Sequence, residues 1–393
     1  MDFSLSSEQT MMVDATRRMV AEDIEPVLAA NNPDKPLPKP AALAILQAAS
    51  RMGITAARLP QAEGGAGLSA LDYGLICEQL PTMAAFLIQC QETAVLRLHY
   101  GSNPEQRKRF LPDLIAGKRI ATTATTEPDG GSDPRGTRTT AVDQGDHVVV
   151  NGNKMWITNG SIADIVNVTC RRGGPNDGRN LMRVVIDRDE SPFEAREIDV
   201  IGMRQSHLAE MVFDNCRVPK ANCFGESGDA AKILTVTWLA GRCLLGLAAV
   251  NLATRAFEAT RAYAGVRKQF GTYIGGFQLV QQGLSDMETA IVASRLLCYN
   301  ALSAIDRGER ANGLSAMAKR FTIDSCDRAI AIGMRLHGAM GLSRELGIER
   351  LARDVRMLSI PDGTPEILTL IHGREITGLD AFRPTASESK PRR

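Results

Sequence analysis

The sequence predicts an α+β protein: an N-terminal helical domain, a middle β-barrel or sandwich domain, and a C-terminal four-helix bundle. A length of 393 residues exceeds what a single hydrophobic core usually supports. Apolar residues recur at helical spacing on both sides of a middle stretch rich in Thr, Val, Gly and Asn. Turn signals recur about every ten residues in that stretch. We place the domains at 1–120, 121–228 and 229–380, followed by a disordered tail at 381–393.

Composition narrows the class of protein. Hydrophobic residues make up 44% and charged residues 23%, as in ordinary globular proteins. A net charge of +1 gives no reason to expect nucleic acid or an anionic membrane as a partner. The eight cysteines lack CxxC and zinc spacing, which favours reduced thiols and no metal site. No signal peptide is expected, because the chain starts directly with a capped helix, and the predicted location is cytoplasmic.

The first domain reads as helical. Ser6 and Gln9 form a capping box ahead of an amphipathic helix that runs to Ile24. Helical patterns resume at 41–52 and at 71–117.

The middle stretch contains short strand patterns. His147–Val150 followed by Asn151-Gly152 predicts a strand that ends in a hairpin turn. Met155–Thr158 followed by Asn159-Gly160 repeats the signal. Further strands are predicted at 165–170, 181–187 and 210–213.

The remaining chain predicts a bundle. Three long helices are expected at 233–264, 280–305 and 312–336. Thr364 as N-cap and Pro365 in the first turn then predict a last helix, which stops at Gly378.

A single acid, Asp362, lies just ahead of this last helix, between Pro361 and Gly363. The positive end of the helix favours its ionised form, whereas burial in an apolar site raises its pKa, and a carboxylate under both effects suits a general base. The alternative is a solvated acid in an ordinary turn, because Asp-Gly is a common turn pair.

Two further motifs suit a planar cofactor. TTATTEPDGGSD (122–133) offers hydroxyls and backbone N–H groups, and Trp156 adds an aromatic plane, although a core tryptophan is the alternative. Arg267 near Phe270 and Gln278 can meet a pyrophosphate through its planar fork, or it is simply a solvated arginine. Rossmann, phosphate-loop and hydrolase motifs are missing from the sequence, which leaves cofactor chemistry as the best enzymatic interpretation.

Several segments, in order, resemble motifs of the acyl-CoA dehydrogenase family of flavoproteins: TTEPDGGSD, NGNKMWITNG, RKQFG, LHGAMG and RDVRMLSIPDGTPEI. The resemblance covers residues 3–378 and implies FAD as cofactor. The residues implied to contact FAD are Ala124, Thr125, Thr126, Gly131, Ser132, Trp156, Ile157, Thr158, Arg267, Phe270, Gln278, Arg335, Leu336, Gly338, Ala339, Thr364 and Glu366. Those implied to contact the substrate are Ser132, Arg242 and Gly363.

The resemblance also implies a reaction. Asp362 falls where the family's catalytic glutamate lies, and would remove the α proton of an acyl-CoA thioester. The β hydrogen would leave as hydride to flavin N5, and electron-transfer flavoprotein would accept the electrons. The family further implies a homotetramer, a dimer of dimers, in which Arg267 reaches the FAD of a neighbouring subunit.

The sequence departs from the family pattern at this site. Aspartate is one methylene shorter than glutamate, Pro361 replaces a tyrosine, and Arg335 replaces a glutamine. Some members carry their glutamate at the position of Gly241, which has no side chain here. Two alternatives therefore stay open. One is a flavoenzyme of the same fold with another reaction, such as an enoyl-CoA reductase or an oxygen-using variant. The other is a non-catalytic protein that has kept the fold.

Overall fold

The computed structural model describes residues 4–173, 181–224 and 229–381. The chain folds, as predicted, into N-terminal helices, a central β-sheet and C-terminal helices. Of the predicted disordered tail, all but Ala381 lies outside the described residues.

The N-terminal helices begin with the predicted capping box. Ser6 Oγ accepts a hydrogen bond from the Gln9 backbone N–H at 3.1 Å, and Gln9 Oε1 accepts one from the Ser6 N–H. The first helix continues through a π-helical turn (Val20–Ile24) directly into α2, so the helical segment ends at Ala29 and not at Ile24, where the sequence predicts its end. The helices are α1 (Ser7–Met19), α2 (Glu25–Ala29), α3 (Lys39–Arg51), α4 (Ala70–Gln79), α5 (Thr82–Gly101) and α6 (Pro104–Ile115).

The middle domain is a mixed eight-stranded sheet. Its strands are β1 (Ala121–Ala124), β2 (Thr140–Asp143), β3 (His147–Thr158), β4 (Ile165–Arg172), β5 (Leu181–Asp187), β6 (Glu194–Glu197), β7 (Leu208–Pro219) and β8 (Cys223–Phe224). They are ordered β6-β7-β3-β2-β4-β5-β8, and β1 pairs in parallel with β4. Val166 and Val184 point into the core of the β domain, whereas Ile165 and Val185 pack against α5 and α6. Alternate residues of β4 and β5 therefore face the helices.

The hairpin predicted at Asn159-Gly160 is wrong, because β3 ends there in a turn but does not pair with β4. The hairpin predicted at Asn151-Gly152 is wrong as well. Strand β3 runs through both residues, and its pairing with β7 shifts register between Val150 and Gly152. Gly152 has φ 146°, and a Cβ there would lie 2.5 Å from Thr139 Oγ1. The glycine thus permits a bulge and a close approach of the neighbouring chain, where the sequence signal suggested a turn.

The C-terminal helices match the predicted bundle. They are α7 (Asp229–Val266), α8 (Gln278–Asp306), α9 (Asn312–Leu336), α10 (Ile348–Met357) and α11 (Pro365–Thr377), with a small hairpin, β9 (Lys268–Gln269) and β10 (Thr272–Tyr273), between α7 and α8. Thr364 caps α11, and Gly378 ends it with φ 70°. Residues Thr237–Val266 of α7 are long and apolar enough to cross a membrane, but 72% of the apolar window is buried inside the protein, as in a core helix.

Candidate active site

The carboxylate of Asp362 rests on helix α7. Asp362 has φ 55°, a backbone conformation that is uncommon for residues other than glycine. Its Oδ2 lies 2.9 Å from the place where a Cβ on Gly241 would stand, so the missing side chain of Gly241 leaves the room that the carboxylate fills. Within the described part of the chain, no hydrogen-bond donor reaches this carboxylate, and the residue is half-buried. A free carboxylate directed at a buried helix is suited to accept a proton.

The loop that carries Asp362 is fixed from below by Lys319 of α9. The Lys319 ammonium is fully buried and donates to the backbone carbonyl oxygens of Ser359 (3.3 Å), Pro361 and Gly363 (2.7 Å). Burial lowers the pKa of Lys319 to about 8, although the charge of Asp362 opposes the shift. All three donors of one ammonium thus set the path of the loop on either side of the carboxylate.

Cationic groups surround Asp362 without pairing with it. Arg242 donates from Nε to the backbone oxygen of Asp362 at 3.3 Å and from its terminal nitrogen to Asn312 Oδ1 at 2.8 Å. Burial lowers the pKa of Arg97 to about 10, with Asp362 opposing the shift. Burial raises the pKa of Cys90 to about 12, and the charge of Asp362 adds to this effect, so Cys90 is a neutral thiol.

The glycine-rich loop after β1 is anchored by Glu127. Its carboxylate accepts hydrogen bonds from the backbone N–H groups of Arg138 (2.7 Å) and Thr139 (2.9 Å) and from Lys154 Nζ (2.8 Å). Burial opposes ionisation, but the Lys154 charge and these hydrogen bonds hold the pKa of Glu127 below its ordinary value. The anchored loop leaves Gly131 and Ser132 exposed on its outer side.

Trp156 lies beside this loop in an unusual conformation. Its backbone has φ 62°, and half of the side chain is exposed, so it is not the core tryptophan of the alternative interpretation. The loop and strand are joined by a hydrogen bond from Met155 N to Thr126 O (3.0 Å) and one from Thr122 Oγ1 to Thr158 O (2.6 Å). An exposed aromatic ring held in a strained backbone, next to hydroxyls, fits a planar aromatic cofactor.

The residues implied to bind FAD fall into two groups on one chain. The first group lies on the sheet, in the loop after β1 and at the start of α11: Ala124, Thr125, Thr126, Gly131, Ser132, Trp156, Ile157, Thr158, Thr364 and Glu366. The second group lies at one end of the bundle: Arg267, Phe270, Gln278, Arg335, Leu336, Gly338 and Ala339. The rings of Tyr263 and His337 stack with their centroids 4.5 Å apart, and this contact joins the end of α7 to the turn after α9.

The two groups are far apart. Lys319 on α9 contacts the loop that carries Asp362. Arg335 lies further along the same helix, about 24 Å from Lys319 along the helix axis. Phe270 is 96% exposed, and Arg267, Gln278 and Arg335 are also exposed. Residues of the second group are therefore placed to reach outward from the chain.

Three residues of the site have structural roles that the sequence patterns do not indicate. Lys319 shares a buried helix face with Ala316 and Ile323, and Glu127 belongs to a motif that the sequence links to ligand contact only. Arg97 lies on α5 between buried apolar residues. A charged residue on an apolar face was the signal that could have found Lys319 and Arg97.

Comparisons with known proteins agree with this architecture. The acyl-CoA dehydrogenase N-terminal, middle and C-terminal domain models match residues 6–118, 122–216 and 232–377. A probable acyl-CoA dehydrogenase, YngJ of Bacillus subtilis, is 32% identical over 96% of this chain and 100% of its own. Cyclohex-1-ene-1-carbonyl-CoA dehydrogenase of Geobacter metallireducens is 30% identical over 95% of this chain and 98% of its own. The solved FAD complex of PigA has a TM-score of 0.89 and 26% identity, covering 96% of this chain and 99% of that one.

The fold and the site together define a flavin-dependent oxidoreductase. The chain belongs to the acyl-CoA dehydrogenase family, and its cofactor is FAD.

Proposed function

We propose that the protein catalyses the α,β-dehydrogenation of an acyl-CoA thioester with Asp362 as the base. The observation that carries this proposal is the free carboxylate of Asp362, which lies on Gly241 and is held by a loop fixed to Lys319. The positive φ of Asp362 and the open space at Gly241 let a side chain one methylene shorter than glutamate rest directly on α7.

Each residue has a task in this proposal. Asp362 takes the proton from the carbon next to the thioester, and Gly363 and Arg242 contact the substrate. Arg242 also fixes the base through its bond to the Asp362 backbone oxygen. The glycine-rich loop, Trp156, Thr158, Thr364 and Glu366 would hold FAD. The cofactor would supply the acceptor for the β hydrogen, which leaves with its electron pair.

The exposure of the second group of cofactor residues favours an FAD site that is completed by a neighbouring copy of the chain. Arg267, Phe270 and Arg335 would contact the FAD of that copy, which requires at least a dimer and suits a dimer of dimers. Electron-transfer flavoprotein is the proposed acceptor of the electrons, and the cytoplasm the proposed location.

Anaerobic reduction of the purified flavoprotein tests the reaction. The yellow enzyme should be bleached by a suitable acyl-CoA from a panel of straight, branched and cyclic thioesters. Reduction of an enoyl thioester without acyl-CoA oxidation, or stoichiometric peroxide in air, would instead indicate the alternative reactions. A colourless protein that cannot be loaded with FAD would indicate a non-catalytic role.

Gly241→Ala should slow flavin reduction without destabilising the protein. The new Cβ would lie 2.9 Å from Asp362 Oδ2, so the carboxylate must shift by a few tenths of an ångström. A displacement of ~1 Å can cost ~100-fold in rate, and a decrease of about tenfold is expected here. Alanine is the better helix former by up to about 1 kcal/mol, so the melting temperature should not fall.

Gly265→Ala in the same helix is the matched control, because nothing lies within 4 Å of a Cβ there. Unchanged rates in the Gly241→Ala variant would contradict the position assigned to the base.

A further inference from the structure

Two buried arginines lie in the seam between the sheet and helices α5 and α7. Arg97 of α5 is 3% exposed and Arg183 of β5 is 0% exposed. Arg97 donates from Nε to Thr237 Oγ1 at 2.9 Å, and Arg183 donates from a terminal nitrogen to Asn167 Oδ1 at 2.9 Å. Arg183 shares its sheet face with Val185, which packs against the helices. Both guanidinium groups are therefore away from solvent in the same seam.

Neither arginine has a carboxylate partner among the described residues. The Nε and NH2 groups of Arg183 have no acceptor there, and the side-chain amide nitrogen of Asn167 has none either. Arg58 illustrates how a buried arginine is ordinarily paired: its guanidinium donates two hydrogen bonds to the buried carboxylate of Glu92, at 2.9 and 2.7 Å. Burying a charge without such a partner is costly. Burial, reinforced by the charge of Arg97, lowers the pKa of Arg183 well below its ordinary value.

Arg97, the nearer member of the pair, lies close to the proposed base. Thr237, which accepts from Arg97, precedes Gly241 by one turn of α7, about 6 Å along its axis. The Asp362 carboxylate rests on Gly241 and is near enough to Arg97 to act on its charge. An acyl chain that runs from Asp362 along α7 towards Thr237 would meet the Arg97 side chain after one helical turn.

We propose that Arg97 and Arg183 form a subsite for a carboxylate at the far end of the acyl group, so that the enzyme selects short dicarboxylic acyl-CoA thioesters. The inference rests on the proposed dehydrogenation and narrows its substrate class. A carboxylate supplies the acceptor oxygens that the unpaired donors of Arg183 and Asn167 require, and its charge offsets two buried cations. A methyl-terminated chain of the same length would leave these donors unpaired.

Matched pairs of thioesters test the charge directly on the FAD-loaded enzyme. Succinyl-, glutaryl- and adipyl-CoA are compared with butyryl-, valeryl- and hexanoyl-CoA by anaerobic flavin reduction. We expect kcat/KM for one of the dicarboxylic thioesters to exceed that of its neutral counterpart by about 100-fold, the effect of a buried charge pair. Arg183→Met should remove most of this ratio and leave the neutral thioester within a few-fold of its original rate. Arg119→Met is the control: it breaks an ion pair with Asp187, which lies on β5 like Arg183, and it should leave the ratio unchanged.

A binding measurement separates selectivity from catalysis. Calorimetry with the FAD-loaded Asp362→Asn enzyme should show tighter binding of glutaryl-CoA than of valeryl-CoA, and Arg97→Met or Arg183→Met should abolish the difference. Equal or better use of the neutral thioesters would overturn the inference while leaving dehydrogenation in place. Equal weakening of all thioesters in the arginine variants would assign the pair to CoA phosphates, and loss of FAD would assign it to the cofactor; either outcome overturns the proposal. If no thioester bleaches the flavin, the proposed function itself fails.

Discussion

Asp362→Asn is expected to leave FAD bound and to slow its reduction by an acyl-CoA by about 10⁴-fold. Asparagine has nearly the same shape as aspartate, so the packing on Gly241 and the loop held by Lys319 should survive. The amide cannot take up a proton, and general base catalysis contributes up to about 10⁴-fold. Stopped-flow reduction under anaerobic conditions gives the rate, and the visible spectrum gives the FAD content of the same sample.

Asp362→Glu is the informative companion. The added methylene would press the carboxylate into α7, because Oδ2 already lies 2.9 Å from the Cβ position of Gly241. We expect this variant to bind FAD and to react more slowly than the parent enzyme, although the base is chemically equivalent. If the flavin of the Asp362→Asn variant were reduced at the rate of the parent enzyme, Asp362 would not be the base.

The sequence was sufficient for the architecture because helix periodicity and caps are local signals. Helix α9 spans Asn312–Leu336, the predicted range, and Thr364 and Gly378 bound α11 as expected. The Asn151-Gly152 signal misled because the same glycine that allows a turn also allows a bulge, and only the approach of Thr139 decides between them.

Only the site residues that belong to a contiguous sequence motif could be predicted. Asp362 and the glycine-rich loop are contiguous segments, so their residues can be recognised one by one. Lys319 and the Arg97–Arg183 pair act through contacts between residues distant in the chain: Lys319 and Gly363 are 44 positions apart. Such contacts follow from the packing of α5, α7, α9 and the sheet, which the periodicity of a single element does not determine.

Lys319→Met is expected to lower the rate of flavin reduction by about 100-fold while FAD stays bound. The methionine side chain has a similar length but no donor, so the carbonyl oxygens of Ser359, Pro361 and Gly363 lose their common partner. The loop can then relax, and a displacement of ~1 Å at the carboxylate is enough for such a loss. Lys154→Met is the matched control: it removes the buried partner of Glu127, so we expect loss of FAD affinity as its main effect.

The pH dependence distinguishes this role of Lys319 from a purely structural one. The pKa of about 8 in the folded protein lies below the ordinary 10.5, so the folded protein releases this proton at lower pH than the unfolded chain does. The cost of burying the ammonium is present in full below pH 8 and is relieved as the pH rises from 8 towards 10.5, so this group makes the protein more stable in that window. The neutral amine offers only two donors to three carbonyl oxygens, so the rate should fall above about pH 8 while the contribution of Lys319 to stability rises. A basic limb that persists unchanged in Lys319→Met would show that another group titrates there.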